Sequence, residues 1–164
     1  FYKVKIGKAK IVKVGKSLTI IASSYMVADA INFIEKFKKI NSEISIELID
    51  LRTIKPIDKN LIIKSVLKTK RVLVLDTGFS FSGIGSEIIS IITINCFNKL
   101  KYKPVKITIP DLPEPTSRFL IKYYYPTSKN IYKAVCKIFN LNVNSKFFVN
   151  NNVDTPGQWF KGPF

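Results

Sequence analysis

Apolar and polar positions follow two different periods along this chain. Leu18-Thr-Ile-Ile-Ala22 is short, β-branched and almost wholly apolar, the pattern of a strand buried on both faces. From Tyr25 to Lys39 the period becomes helical, with Met26, Ala30, Phe33 and Phe37 on one side. A second strand is predicted over Ile44–Ile49 and runs into Asp50-Leu-Arg-Thr53. Asp58 is placed to cap a helix over Leu61–Leu67. A third buried strand follows at Arg71–Leu75, then a long helical pattern from Gly83 to Leu100. Val105–Ile109 reads as a fourth strand, closed by the Pro-rich turn of residues 110–115, and a last helix covers Ser128–Phe139. Ahead of these, Gly7–Val14 alternates lysine with small or apolar residues and suits an edge strand protected by charge.

Continuous apolar strands that alternate with amphipathic helices imply right-handed βαβ crossovers. The expected fold is therefore α/β: a three-layer α/β/α sandwich around a mostly parallel sheet of about five strands. The domain is expected over residues 1–141, with 142–164 as a C-terminal tail that holds an Asn-rich stretch and then Trp159, Phe160 and Phe164.

Length and composition narrow what such a domain could do. At 164 residues the chain fits one domain and is long enough to bury roughly 70% of its unfolded surface. It has no histidine, which removes Ser-His-Asp and Cys-His catalysis, a His-ligated metal and a His proton shuttle. A net charge of +16 raises the question of nucleic acid. Arginine, however, occurs only at Arg52, Arg71 and Arg118, so lysine carries nearly all of the positive charge. Nucleic-acid readers lean on the arginine fork. The lysines run through nearly every segment and read as a composition bias at solvated positions, so no nucleic-acid partner is expected. A basic nucleic-acid-binding module is the alternative of another class, and it would require tight binding that weakens with salt.

Cys96 and Cys136 stand alone in apolar stretches, as buried reduced thiols would, which points to a reducing, cytoplasmic setting. The longest apolar run, Ile88–Ile94, is interrupted by Ser90 and Thr93 and is far below membrane-spanning length, so no membrane partner is expected. The chain opens on Phe1 without a signal-peptide pattern, and it is expected to be part of a longer protein.

In open α/β sheets, ligands gather beyond the carboxyl ends of the strands. Those ends carry Ser23-Ser24, Asp50–Arg52, Asp76-Thr-Gly78 and Asp111. Small and acidic groups there could hold a hydroxylated ligand or a metal, but they more often cap helices and close turns. Gly78 and Gly83 have the spacing of two P-loop glycines, yet Ile84-Gly85 stands where Lys-Ser/Thr is required. G-x-G-x-x-G also fails, because Ile88 occupies the third glycine position. The segment reads as a tight turn into a helix that starts near Gly83, with Glu87 favoured by the dipole of the first turn. Asp29 interrupts an apolar neighbourhood, and either burial against a partner or a solvated helix side would account for it. No catalytic, cofactor-binding or metal-binding set emerges from the residues alone.

Four strings, in order, resemble one family. They are Ile6-Gly-Lys-Ala-Lys-Ile-Val12, Leu18–Ala22, Ile49-Asp-Leu-Arg-Thr-Ile-Lys-Pro-Ile-Asp58 and Gly83-Ile-Gly-Ser-Glu-Ile88. They are similar to the C-terminal domain of transketolase-like enzymes, and most of all to the β subunit of the decarboxylase component of 2-oxo acid (pyruvate or branched-chain) dehydrogenases. The family positions carried by this chain are Asp50, Arg52, Pro56, Asp58, Gly83, Gly85 and Glu87. The resemblance implies an oxidoreductase that uses thiamine diphosphate and Mg, both bound by other domains. It implies an assembly role for this domain, packed against a second β subunit and an α subunit, and inactivity for the fragment alone. The C-terminal part of a split transketolase is the alternative within the same class.

Two departures bear on the partners. Asp76-Thr77 replaces the His-Glu or Val-Glu of many relatives. Lys101 and Lys103 stand where relatives often place an acid to meet a basic docking domain, and like charges there count against docking onto an acyltransferase core. In the tail, Trp159, Phe160 and Phe164 could anchor in a partner subunit or cover this domain's own apolar surface.

Overall fold

A computed structural model describes residues 3–144. Trp159, Phe160 and Phe164, and nearly all of the expected tail, lie outside the described residues. Five strands form one sheet: β1 (Lys10–Lys13), β2 (Leu18–Ala22), β3 (Ile46–Asp50), β4 (Val72–Phe79) and β5 (Val105–Ile109). Their order is β1-β3-β2-β4-β5, with β1 antiparallel and the other pairings parallel. Helices α1 (Tyr25–Ile40) and α5 (Ser128–Phe139) cover one face. Helices α2 (Lys59–Thr69) and α3 (Ile84–Cys96) cover the other. The expected three-layer α/β/α sandwich is the fold found.

The core divides at the sheet. Leu18, Ile20, Leu48, Leu73 and Leu75 point toward α1 and α5, where they meet Met26, Phe33, Phe37, Ile131 and Val135. Ile21, Ile49, Val72 and Val74 point the other way, against Ile62, Val66, Ile88 and Ile92. Strand alternation thus splits one apolar run into two cores. Gly15 sits where the chain turns from β1 into β2, and a Cβ there would come within 2.2 Å of the Ile46 carbonyl carbon. Only glycine permits that approach of two backbones.

Several boundaries differ from the periodic reading. Strand β3 begins at Ile46, two residues later than expected, where Ser45 exchanges hydrogen bonds with Lys16 and Ser17. The edge strand shrinks to four residues, begins after a left-handed Gly7 and carries an irregularity in register at Ile11/Lys13. Helix α3 stops at Cys96 and passes into a 3-10 turn over Phe97–Lys99, although apolar spacing continues to Leu100. Helix α4 (Arg118–Tyr124) is unannounced by the pattern: it follows a Pro-rich run and shows no clean alternation of faces.

Candidate functional site

The carboxyl ends of the strands hold the acidic side chains singled out above, and most of them are bound to the protein's own backbone. Asp50 closes β3. Its Oδ1 accepts from the Arg52 amide at 3.1 Å, and its Oδ2 lies 3.5 Å from Arg52 Nε. Arg52 itself takes a left-handed conformation, with φ 58°. The following turn is tied down through Thr53, whose hydroxyl donates to the Pro56 carbonyl and accepts from Gly7 N at 3.0 Å. Asp58 serves two elements at once. One carboxylate oxygen accepts from Leu61 N to cap α2, and the other accepts from Ala9 N, each at 3.2 Å. The family string from Asp50 to Asp58 is therefore a loop that satisfies itself and anchors the strand leading to β1.

The second family string is organised by a residue one strand away. Asp76, 3% exposed in β4, accepts from Gly78 N at 2.9 Å and from Gly85 N at 2.7 Å. A Cβ on Gly83 would fall 2.4 Å from the Phe79 carbonyl oxygen, and one on Gly85 3.1 Å from Asp76 Oδ2. Both glycines thus permit the close fold of the loop around the carboxylate. From the neighbouring strand, Lys106 donates to the Ser80 carbonyl and, at 2.7 Å, to the Ser86 hydroxyl. One anion and one cation grip this loop from opposite sides. Glu87 lies in the first turn of α3, exposed, as the helix dipole favours.

Sequence reasoning named Asp76 as one strand-end acid among several and as a departure from relatives, without its role in the loop, and did not name Lys106. The Asp-x-Gly turn was the available signal for the first; the reach of Lys106 depends on β5 lying beside β4. Missed altogether was a buried polar network beneath α2. Glu47, fully buried in β3, accepts from the Ser65 hydroxyl and pairs with Lys68. Thr19 Oγ1 lies 2.7 Å from both the Ser65 and the Thr69 hydroxyls.

The remaining titratable groups do not converge. Asp29 is half-buried, and burial raises its carboxyl above the usual value. Tyr25 is raised by burial and then by the nearby Asp29 charge. The Tyr125 hydroxyl, which donates to Glu114, is pushed up to about 12 chiefly by that hydrogen bond. Burial pushes both thiols up, so Cys96 and Cys136 are held as protonated core side chains. Among the described residues no group of three or more acidic, Cys or His side chains comes together as a metal site. No helix among them is long and apolar enough to cross a membrane.

Two open grooves mark the surface. One, of about 300 Å³, lies between Ser80, the β5 edge and Tyr123–Tyr125. The other, of about 330 Å³, is lined by Phe97, Leu100, Tyr102 and Pro104 with Lys101 and Lys103. These two lysines are exposed and stand well apart from the Asp50–Asp58 and Gly83–Glu87 loops in the chain.

Comparison with known proteins identifies the fold and its relatives. The family model described as "Transketolase, C-terminal domain" matches residues 7–131. The chain is 38% identical over 138 residues to the pyruvate dehydrogenase E1 component subunit beta of Rickettsia conorii, covering 82% of this chain and 41% of that protein. It is 37% identical over 135 residues to the mitochondrial counterpart of Chaetomium thermophilum, covering 82% of this chain and 35% of that one. It therefore spans about two fifths of the length of the curated relatives it matches. Among solved structures, a split-gene transketolase described as an inactive beta4 tetramer superposes with a TM-score of 0.71 at 25% identity, over 85% of this chain and 45% of that one.

Proposed function

The chain belongs to the transketolase C-terminal domain family, and from that premise we propose that it is the assembly domain of a thiamine-diphosphate-dependent 2-oxo acid dehydrogenase β subunit. The observation that carries the reading is the match to an E1 β subunit, 38% identical over 138 residues. The local chemistry agrees with it. Asp50, Asp58 and Asp76 are spent on backbone amides within their own loops. That arrangement does not fit a pyrophosphate–Mg site, so thiamine diphosphate and its metal belong to other domains of the enzyme. This domain's own contribution is to present surfaces to other subunits. Leu112, Phe119, Leu120 and Tyr123 are each at least half exposed. Tyr124 hydrogen-bonds the Leu112 carbonyl, which joins the loop to α4. An apolar ledge of this kind marks a subunit contact, and we assign it to packing within an assembly of α and β subunits. Lys101 and Lys103 keep a basic docking domain away, which argues against an acyltransferase core as partner.

A second reading, the C-terminal part of a split transketolase, is favoured by the 0.71 TM-score. One experiment separates the two. The native assembly, isolated through a tag on this chain, is assayed for dye reduction driven by pyruvate or a branched-chain 2-oxo acid, and for ketol transfer between sugar phosphates. Dye reduction that requires thiamine diphosphate and Mg is expected. Ketol transfer without 2-oxo acid oxidation establishes the second reading, and loss of both activities overturns the two together.

A further inference from the structure

Helix α5 ends beside one of the two surface grooves. The Arg71 guanidinium lies over the Phe139 ring, 4.8 Å from its centre, and Arg71 immediately precedes β4. The adjoining Lys70 carbonyl accepts from Lys101 N at 2.8 Å, which holds the loop ahead of β5 against the same end of the sheet. Phe139, Leu141 and Tyr102 pack on one core. Helix α5 therefore ends at the amino ends of β4 and β5. There Phe97, Leu100, Tyr102 and Pro104 line the groove of about 330 Å³ together with Lys101 and Lys103. Phe97 is 68% exposed, and among the described residues neither lysine has an acidic partner. The groove thus has an apolar floor and a cationic rim without counter-charge.

We infer that this groove is the docking site for the chain's own segment 145–164, with Trp159 and Phe160 as its anchors. The segment suits the groove in chemistry. It carries Phe147, Phe148, Trp159, Phe160 and Phe164, five aromatics in twenty residues, against 12% in the chain as a whole. Asp154 is its one acid. An aromatic face meets a lysine ammonium directly, Trp most favourably, so the rim needs no carboxylate. The groove is at the small end of ligand sites and takes one or two rings. Length allows the contact. Trp159 is fifteen residues beyond Asn144, whose amide bonds the Tyr132 hydroxyl of α5. From Tyr132 to the end of α5 is about 10 Å, and even coiled, fifteen residues span roughly 20 Å. A tether of that length gives an effective concentration of ~1 mM, at which an intrinsic Kd of about 0.1 mM fills the groove roughly ten to one. An acidic partner would suit the lysines but lacks the tether. A second copy would bring its own +16 to them. The other groove, among Tyr123–Tyr125, lies toward the opposite ends of the strands.

Trp159 is the chain's single tryptophan, so its fluorescence reports on this segment alone. Acrylamide quenching is measured on the full chain and on a synthetic peptide of residues 145–164. Quenching in the chain should be roughly threefold weaker than in the peptide or less, with bluer emission, because a seated indole is screened from water and quencher. The screening should be the same at every protein concentration. Phe97→Asp and the double variant Lys101→Glu/Lys103→Glu change exposed positions, so circular dichroism should stay as in wild type while quenching rises to the peptide's level. Phe119→Asp on α4 is the control and should leave Trp159 screened. Wild-type quenching as free as the peptide's overturns the inference, and so does screening that survives either folded groove variant. Screening that appears only as concentration rises assigns the segment to a second copy, and screening that appears only with another subunit added assigns it to that partner. Either result overturns the inference as well. The readout involves no 2-oxo acid oxidation, so it stands or falls apart from the reaction proposed above.

Discussion

Helices α2 and α3 lie side by side on the same face of the sheet, yet they are built on opposite plans. Toward solvent, α2 shows Lys59, Lys64 and Lys68, whereas α3 shows Ser, Thr, Asn and a bare isoleucine. Toward the sheet, α2 sets Ser65, Lys68 and Thr69 on a polar network that reaches Glu47 and Thr19. Beneath α3 the contacts are apolar, through Ile88, Ile91, Ile92 and Cys96, and its position is set from one end, where Asp76 takes the Gly85 amide. The contrast teaches that the two helices answer to different demands. A helix that faces water needs charge outside and can be held in register by buried hydrogen bonds. A helix with little charge outside and an apolar inner side must be located by something at its end. For α3 that role falls to the Asp76 carboxylate.

Breaking the α3 anchor should give the largest effect. Asp76→Ala strands two amides that now bond a carboxylate, with a loss of about 4 kcal/mol, read as a fall of roughly 10 °C in melting temperature. Gly83→Ala sets a methyl 2.4 Å from the Phe79 carbonyl oxygen and should cost about 3 kcal/mol by denaturant titration. On the α2 side, Glu47→Gln removes the charge that Ser65 and Lys68 bond. Lys68 is 41% exposed and can turn to water, so the loss should be nearer 2 kcal/mol. If Glu47→Gln costs more than Asp76→Ala, the assignment of Asp76 as the main anchor of α3 fails.

The opposite layer supplies the smallest effect and a pH test. Burial raises the Asp29 carboxyl above its ordinary 3.8, so the folded protein favours the neutral form. That contribution is fully present below the ordinary value and is lost as pH rises through the folded one. Asp29→Asn should therefore raise the melting temperature slightly at pH 7, and the gain should vanish in melts carried out below pH 3.8.

Much of this plan was open to reading before the fold was known. The last helix has its predicted bounds, Ser128 to Phe139, because a clean apolar stripe and a Thr127 cap mark its start and Asn140 its end. Asp58 caps α2 as its place ahead of Leu61 suggests. Glu47 was not legible, since in Ile-Glu-Leu-Ile-Asp an acid between apolar residues looks like an outward position; only α2 lying over β3 makes it an inward one. The two roles of Asp76 depend on the chain folding back to it at Gly85, nine positions on.

The N-terminal edge has a consequence for synthesis. Strand β1 and the segment before it find their backbone partners in β3 and in the loop that holds Thr53 and Asp58, and Lys13 pairs with Glu35 of α1. At ~5–20 residues per second, a nascent chain exposes that segment for several seconds before those partners emerge. Lys8, Lys10 and Lys13, which would repel a neighbouring nascent strand, guard it during the wait. The same lysines that protect an edge in the finished domain thus protect an unpaired strand on the ribosome.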